Sequence, residues 1–103
     1  MTLTPSRAVT LAATVAASRE FGTAPHSARV CLALWNLCGA APTQRIAAEI
    51  DRPDWVTLGF LLDTPDDFAY FARGEWWLTT LGTSLVHSVF LHERELRQEA
   101  AAA

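Results

Sequence analysis

Lysine is missing altogether from the 103 residues, and all eight basic side chains are arginine. Set against eleven acidic residues, they leave a formal net charge of -3. A chain so charged lacks the broad positive field that captures nucleic acid regardless of sequence, so any DNA contact has to come from a local patch. Cysteine is nearly missing too. Cys31 and Cys38 lie on one predicted helical stretch, about 10 Å apart at the helical rise, too far for a disulfide. They form no CxxC or Cys/His ligand spacing, so two buried, reduced thiols and no metal site are expected. Apolar runs are short. None reaches the roughly 20 residues that a membrane span needs, and the alanine- and threonine-rich stretch from Ala8 to Ala17 is too weak for a secretory signal. A cytoplasmic protein with no membrane contact is expected.

Catalytic signatures are equally scarce. There is no glycine-rich phosphate loop, nucleophile elbow or HExxH. His26 follows a proline in a connection, where an exposed or capping histidine is ordinary. His87 and His92 stand five apart on one helix and face different ways, and the adjacent Asp66 and Asp67 suit a turn or helix start better than an acid/base pair. A non-enzymatic protein without cofactor is expected. The arginine and alanine bias resembles high-GC coding in an actinobacterium or its phage.

What is present is enough to fold. Half of the residues are hydrophobic and 18% are charged, which supports one globular domain with one core. It reads as an N-terminal helix (1–26), a central unit (27–82) and a C-terminal helix (83–103). Thr4-Pro5 opens a helix that runs to Phe21, with Gly22 as its stop. A second helix from Ser27 to Cys38, stopped by Gly39, is apolar nearly all round, which predicts a central core helix with Trp35 inside. Ala40 to Pro42 reads as a short connection.

Shorter elements follow. Thr43 caps a helix with Ile46, Ala47 and Ile50 on one face, ending near Asp51 because Arg52 precedes a proline. Pro53-Asp54 opens the next, which carries Trp55, Val56, Leu58, Phe60, Leu61 and Leu62 to about Asp63. Phe60 reads as core, whereas Trp55 fits core and surface equally. Phe68 to Ala72 and Trp76 to Thr79 are aromatic-rich and flank Arg73-Gly74-Glu75, a pattern that predicts a hairpin. Trp76 and Trp77 then point to opposite faces, so only one is buried. A helical bundle without the hairpin stays open as an alternative, because Thr64-Pro65-Asp66-Asp67 also starts helices well. In the last helix, from Thr79 or Thr80 onward, Leu81, Leu85, Val89, His92 and Leu96 form one stripe, with Glu93 and Arg97 paired outside it. A stripe this long predicts a partner helix, hence a homodimer through Val9, Leu85, Val89, His92 and Leu96.

The segment Thr43-Gln44-Arg45-Ile46-Ala47-Ala48-Glu49-Ile50 resembles the first helix of a helix-turn-helix. Trp77-Leu78-Thr79-Thr80-Leu81-Gly82 resembles the "LTxxG" that closes a wing and starts the next helix. Together with the element order they resemble the winged helix-turn-helix superfamily, in particular the small MarR-like and PadR-like transcription regulators, over roughly Ser27 to Gly82. The expected fold is mainly α with a small β-hairpin: a winged helix-turn-helix with additional N- and C-terminal helices.

The resemblance implies a DNA-binding transcription regulator, with the helix after the turn in the major groove and the wing on the backbone. Thr43, Gln44 and Arg45 would then meet a phosphate, Arg52, Asp54, Trp55, Thr57 and Leu58 would lie at the reading surface, and Arg73 at the wing tip. The sequence departs from that pattern. Its reading helix has no basic residue after Arg52 and no Asn or Gln for a base edge. Glu49, Asp51, Asp54, Asp63, Asp66, Asp67 and Glu75 surround it. Acids with exposed aromatics suit a second reading, a winged-helix module, with a phage among its sources, that binds a partner protein.

Overall fold

The computed structural model describes residues 5–102. Among these it contains five helices and three short strands: α1 (Pro5–Glu20), α2 (Pro25–Asn36), β1 (Ala40–Ala41), α3 (Thr43–Ile50), α4 (Asp54–Asp63), β2 (Ala69–Ala72), β3 (Glu75–Leu78) and α5 (Thr80–Ala102). The chain is mainly helical with a small antiparallel sheet, and no helix of the described residues is long and apolar enough to cross a membrane. Thr4, expected to cap α1, lies outside the described residues.

The apolar circumference of α2 has a direct structural consequence. One side of it, with Ala28 and Cys31, packs into a cluster with Ala13 and Ala17 of α1 and Leu85, Val86 and Val89 of α5. Another side, with Val30, Ala33 and Leu34, packs into a second cluster with Ile46, Leu61, Ala69 and Trp76. A helix that serves two cores has little left for water. The remainder differs from the expectation. Trp35 is 40% exposed, lying edge-on to His87 and Phe90 of α5 rather than within the core. The helix also ends at Asn36, and Cys38 follows in left-handed geometry (φ 67°), so its thiol is exposed while Cys31 is buried. Only one of the two cysteines is therefore a core residue.

The α1–α5 pair explains the long stripe of the last helix. Ala13 and Ala17 are fully buried, and side chains this small let the two helices approach closely. A polar seam runs beside them: Ser88 Oγ donates to Glu20 (2.6 Å), His92 Nε2 lies 3.1 Å from the same carboxylate, and Thr10 Oγ1 donates to Glu93 (3.1 Å). The buried Thr14 hydroxyl is satisfied within its own helix by Thr10 O, at 2.7 Å. Leu85 and Val89, expected at a dimer interface, are thus covered by the chain's own α1. The half-buried His92 pairs with Glu20, and Leu96 packs on the edge of the same cluster. Val9, the remaining member of that set, is half-buried on α1.

The aromatic segments are paired strands, which removes the all-helical alternative. β2 and β3 run antiparallel, with Tyr70 opposite Trp77 and Phe71 opposite Trp76. Arg73 and Gly74 join them, both at positive φ (55° and 79°), as tight two-residue hairpin turns require. The residues expected to be a mere connection, Ala40 and Ala41, form β1 and pair with Trp77 and Trp76. β3 is therefore the central strand, in the order β1-β3-β2. Its alternation places Trp76 in the core at 6% exposure, while Trp77 stays half-buried and donates its indole N–H to Ala72 O at 3.0 Å.

Candidate functional site

Local chemistry fixes the α3–α4 corner. Asp51 ends α3 in left-handed geometry (φ 55°), and its N–H and that of Arg52 return to Ala48 O and Ala47 O. Pro53 follows in extended geometry as the N-cap of α4, whose first turn carries Asp54. Thr57 is fully buried, and both its backbone N–H and its hydroxyl donate to Pro53 O. Leu61, one turn on, is buried in the cluster that holds Val30 and Leu34 of α2 and Ile46 of α3. Position 57 therefore lies on the inward side of α4 and is unavailable to the reading surface where it was expected.

With residues 57 and 61 turned inward, residues 55, 58 and 62 share the opposite face. Trp55 is 78% exposed, Leu62 69% and Leu58 41%. Three large apolar side chains at this spacing form a continuous stripe in water, the kind of surface that soluble chains seldom leave uncovered. Asp54 and Asp63, both exposed, stand at its two ends, with Asp51 just before the helix. α4 itself contains no basic residue. The open choice for Trp55 is thereby resolved toward solvent. Phe60 is half-buried and stacked on His26, with ring centroids 5.0 Å apart and nearly coplanar.

The other expected contact residues are dispersed. Thr43 is not the cap of α3. That place belongs to Pro42, and the Thr43 hydroxyl instead accepts the indole N–H of Trp76 at 3.0 Å. Gln44 and Arg45 are exposed in the first turn of α3, and Arg73 is exposed at the hairpin tip. Arg52 is exposed but lines a groove shared with Arg7 and Arg29, with its Nη1 donating to Asp51 O at 2.9 Å. On the sheet, Phe71 is 56% exposed and tilts against Trp76, and Tyr70 is 43% exposed.

Sequence reasoning placed Trp55 and Leu58 near this surface but did not single out Leu62. Its signal was available in the 55–58–62 spacing and was masked by the apolar character of α4 as a whole. Among the described residues no cluster of three or more His, Cys, Asp or Glu side chains is placed to hold a metal ion. No family model, curated protein or solved structure matches the chain.

Proposed function

We propose that this chain is a non-enzymatic winged-helix module that docks a partner protein through the outer face of α4. The observation that carries the reading is the solvent-facing stripe of Trp55, Leu58 and Leu62 between Asp54 and Asp63. Aromatic and leucine side chains on a rigid helix supply the buried centre of an interface, and the flanking carboxylates supply its rim. The complementary partner is an apolar groove or helix bordered by Arg or Lys. A phosphate backbone in the same place would meet the two carboxylates of Asp54 and Asp63 and no cation on α4.

The winged-helix assignment rests on the order helix, helix, strand, helix, helix, hairpin, helix and on the Thr79–Gly82 segment. Affinity capture with matched baits tests the docking role. The wild-type chain should enrich a partner that Trp55→Ser and Leu62→Ser baits both lose at unchanged fold by circular dichroism. Partners retained equally by all three baits would remove α4 from the interface.

One observation favours the DNA-binding reading: Arg45 and Arg73 are both exposed, one at the start of α3 and one at the hairpin tip. Fluorescence anisotropy with duplex DNA at low salt separates the two. Under the DNA reading, binding weakens in Arg45→Ala and Arg73→Ala and is indifferent to Leu62→Ser. Under the docking reading, no duplex is retained.

A further inference from the structure

A groove of about 510 Å³ opens between α1, α2 and the end of α3, within the range of about 300–1,000 Å³ typical of small-molecule sites. Arg7, Arg29 and Arg52 come to it from three separate parts of the chain. Arg29 is half-buried, and its guanidinium makes one hydrogen bond among the described residues, a long one of 3.4 Å to Ile50 O. Neither Arg29 nor Arg52 forms an ion pair among the described residues, and Arg52 spends one donor on Asp51 O. A guanidinium carries five N–H donors in a planar fork, so most of the donor capacity of Arg29 and Arg52 is not used among the described residues.

The electrostatics point the same way. Burial, and then the charges of Arg52 and Arg7, hold the Arg29 guanidinium below its ordinary value. An arginine stays charged regardless, so the folded state bears like-charge repulsion that an anion in the groove would relieve. Glu49 and Asp51 also line the groove. These two carboxylates offset much of the guanidinium charge, which suits a monoanion and opposes a polyanion. The apolar part of the lining is aliphatic, with Leu11, Leu32 and Ile50 and no aromatic ring.

We propose that the α1–α2–α3 groove binds an aliphatic monocarboxylate, its carboxylate held by Arg29 and Arg52 and its alkyl chain laid along Leu32 and Ile50. Arg–carboxylate forks are bidentate and charge-assisted, which gives both orientation and strength. No residue of the α4 stripe takes part, so this site stands or falls independently of the docking surface.

The test uses the full chain and sodium octanoate as the probe, followed by calorimetry and by amide chemical shifts. Octanoate should bind saturably, shift the amides of Leu32 and Ile50, and raise the thermal midpoint. Octan-1-ol, which has the tail without the charge, and inorganic phosphate, which has charge without the tail, should do neither. Arg52→Gln should weaken octanoate binding roughly tenfold or more, as expected for losing a hydrogen bond to a charged group. Arg29→Gln should do the same, and if that variant does not fold, Arg52→Gln decides. Arg94→Gln, on the exposed side of α5, should bind as the wild type does. Equal binding of octan-1-ol or phosphate, unaltered affinity in Arg52→Gln, or shifts confined to other regions would each overturn the proposal.

Discussion

A methyl group at position 82 would lie 2.2 Å from the Phe68 carbonyl oxygen and 2.6 Å from Leu78 Cδ1. The oxygen belongs to the backbone and has little freedom to retreat. Thr79 completes the arrangement, since its N–H donates to Phe68 O, its hydroxyl sits against the Asp67 and Phe68 carbonyls, and it accepts the Gly82 N–H at 3.0 Å. The Leu-Thr-x-x-Gly pattern is thus a capping hydroxyl plus a glycine over which the preceding strand entry passes. Alanine gains about 1 kcal/mol of helix propensity over glycine, but the steric conflict costs more. Gly82→Ala should lose about 2 kcal/mol or more net in urea denaturation. The cysteines separate at the same scale. Burial pushes the Cys31 thiol up to about 12, whereas Cys38 is exposed. A thiol reagent at neutral pH should label Cys38 alone in the folded chain and both cysteines after denaturation, with Cys38→Ser abolishing the native signal.

At the scale of elements, α4 carries a glycine where a helix prefers none. Gly59 has nothing within 4 Å of an added methyl group, and its place in the helix makes no demand for positive φ. Gly59→Ala should therefore raise stability by roughly 0.5–1 kcal/mol in a chemical melt. The helices and the hairpin were legible from local chemistry: prolines at helix starts, glycines after helix ends, and aromatic runs about Arg73-Gly74. β1 was not. Two alanines carry no strand pattern, and only the free edge of β3 makes them one. The stripe of α5 was legible, but its mate was ambiguous, because periodicity reports that Leu85 and Val89 need cover and does not say whose. The inward side of Thr57 was similarly hidden, since on an apolar helix a single hydroxyl does not mark the core face. The groove arginines left no trace in the sequence. Positions 7, 29 and 52 share no motif and meet only through the packing of three helices.

For the molecule as a whole, the contact between α1 and α5 joins the two ends of the chain and closes one of its two cores. Hydrogen bonds from Ser88 and then His92 hold the Glu20 carboxyl below its ordinary value. A carboxyl depressed in the folded state stabilises that state above its unfolded value, and the contribution is lost as the pH falls through the folded value. The thermal midpoint should fall as the pH drops from about 5 toward 3. In Glu20→Gln, whose side chain does not titrate, the acid limb should be shallower and the midpoint at neutral pH lower.

The second core is organised differently, around a strand bonded on both sides. β3 holds β2 along one edge and β1 along the other, and its Trp76 reaches the hydroxyl of Thr43. The wing is thus fastened to the helical body at two points, a backbone rung on Ala40 and Ala41 and a side-chain hydrogen bond to the first residue of α3.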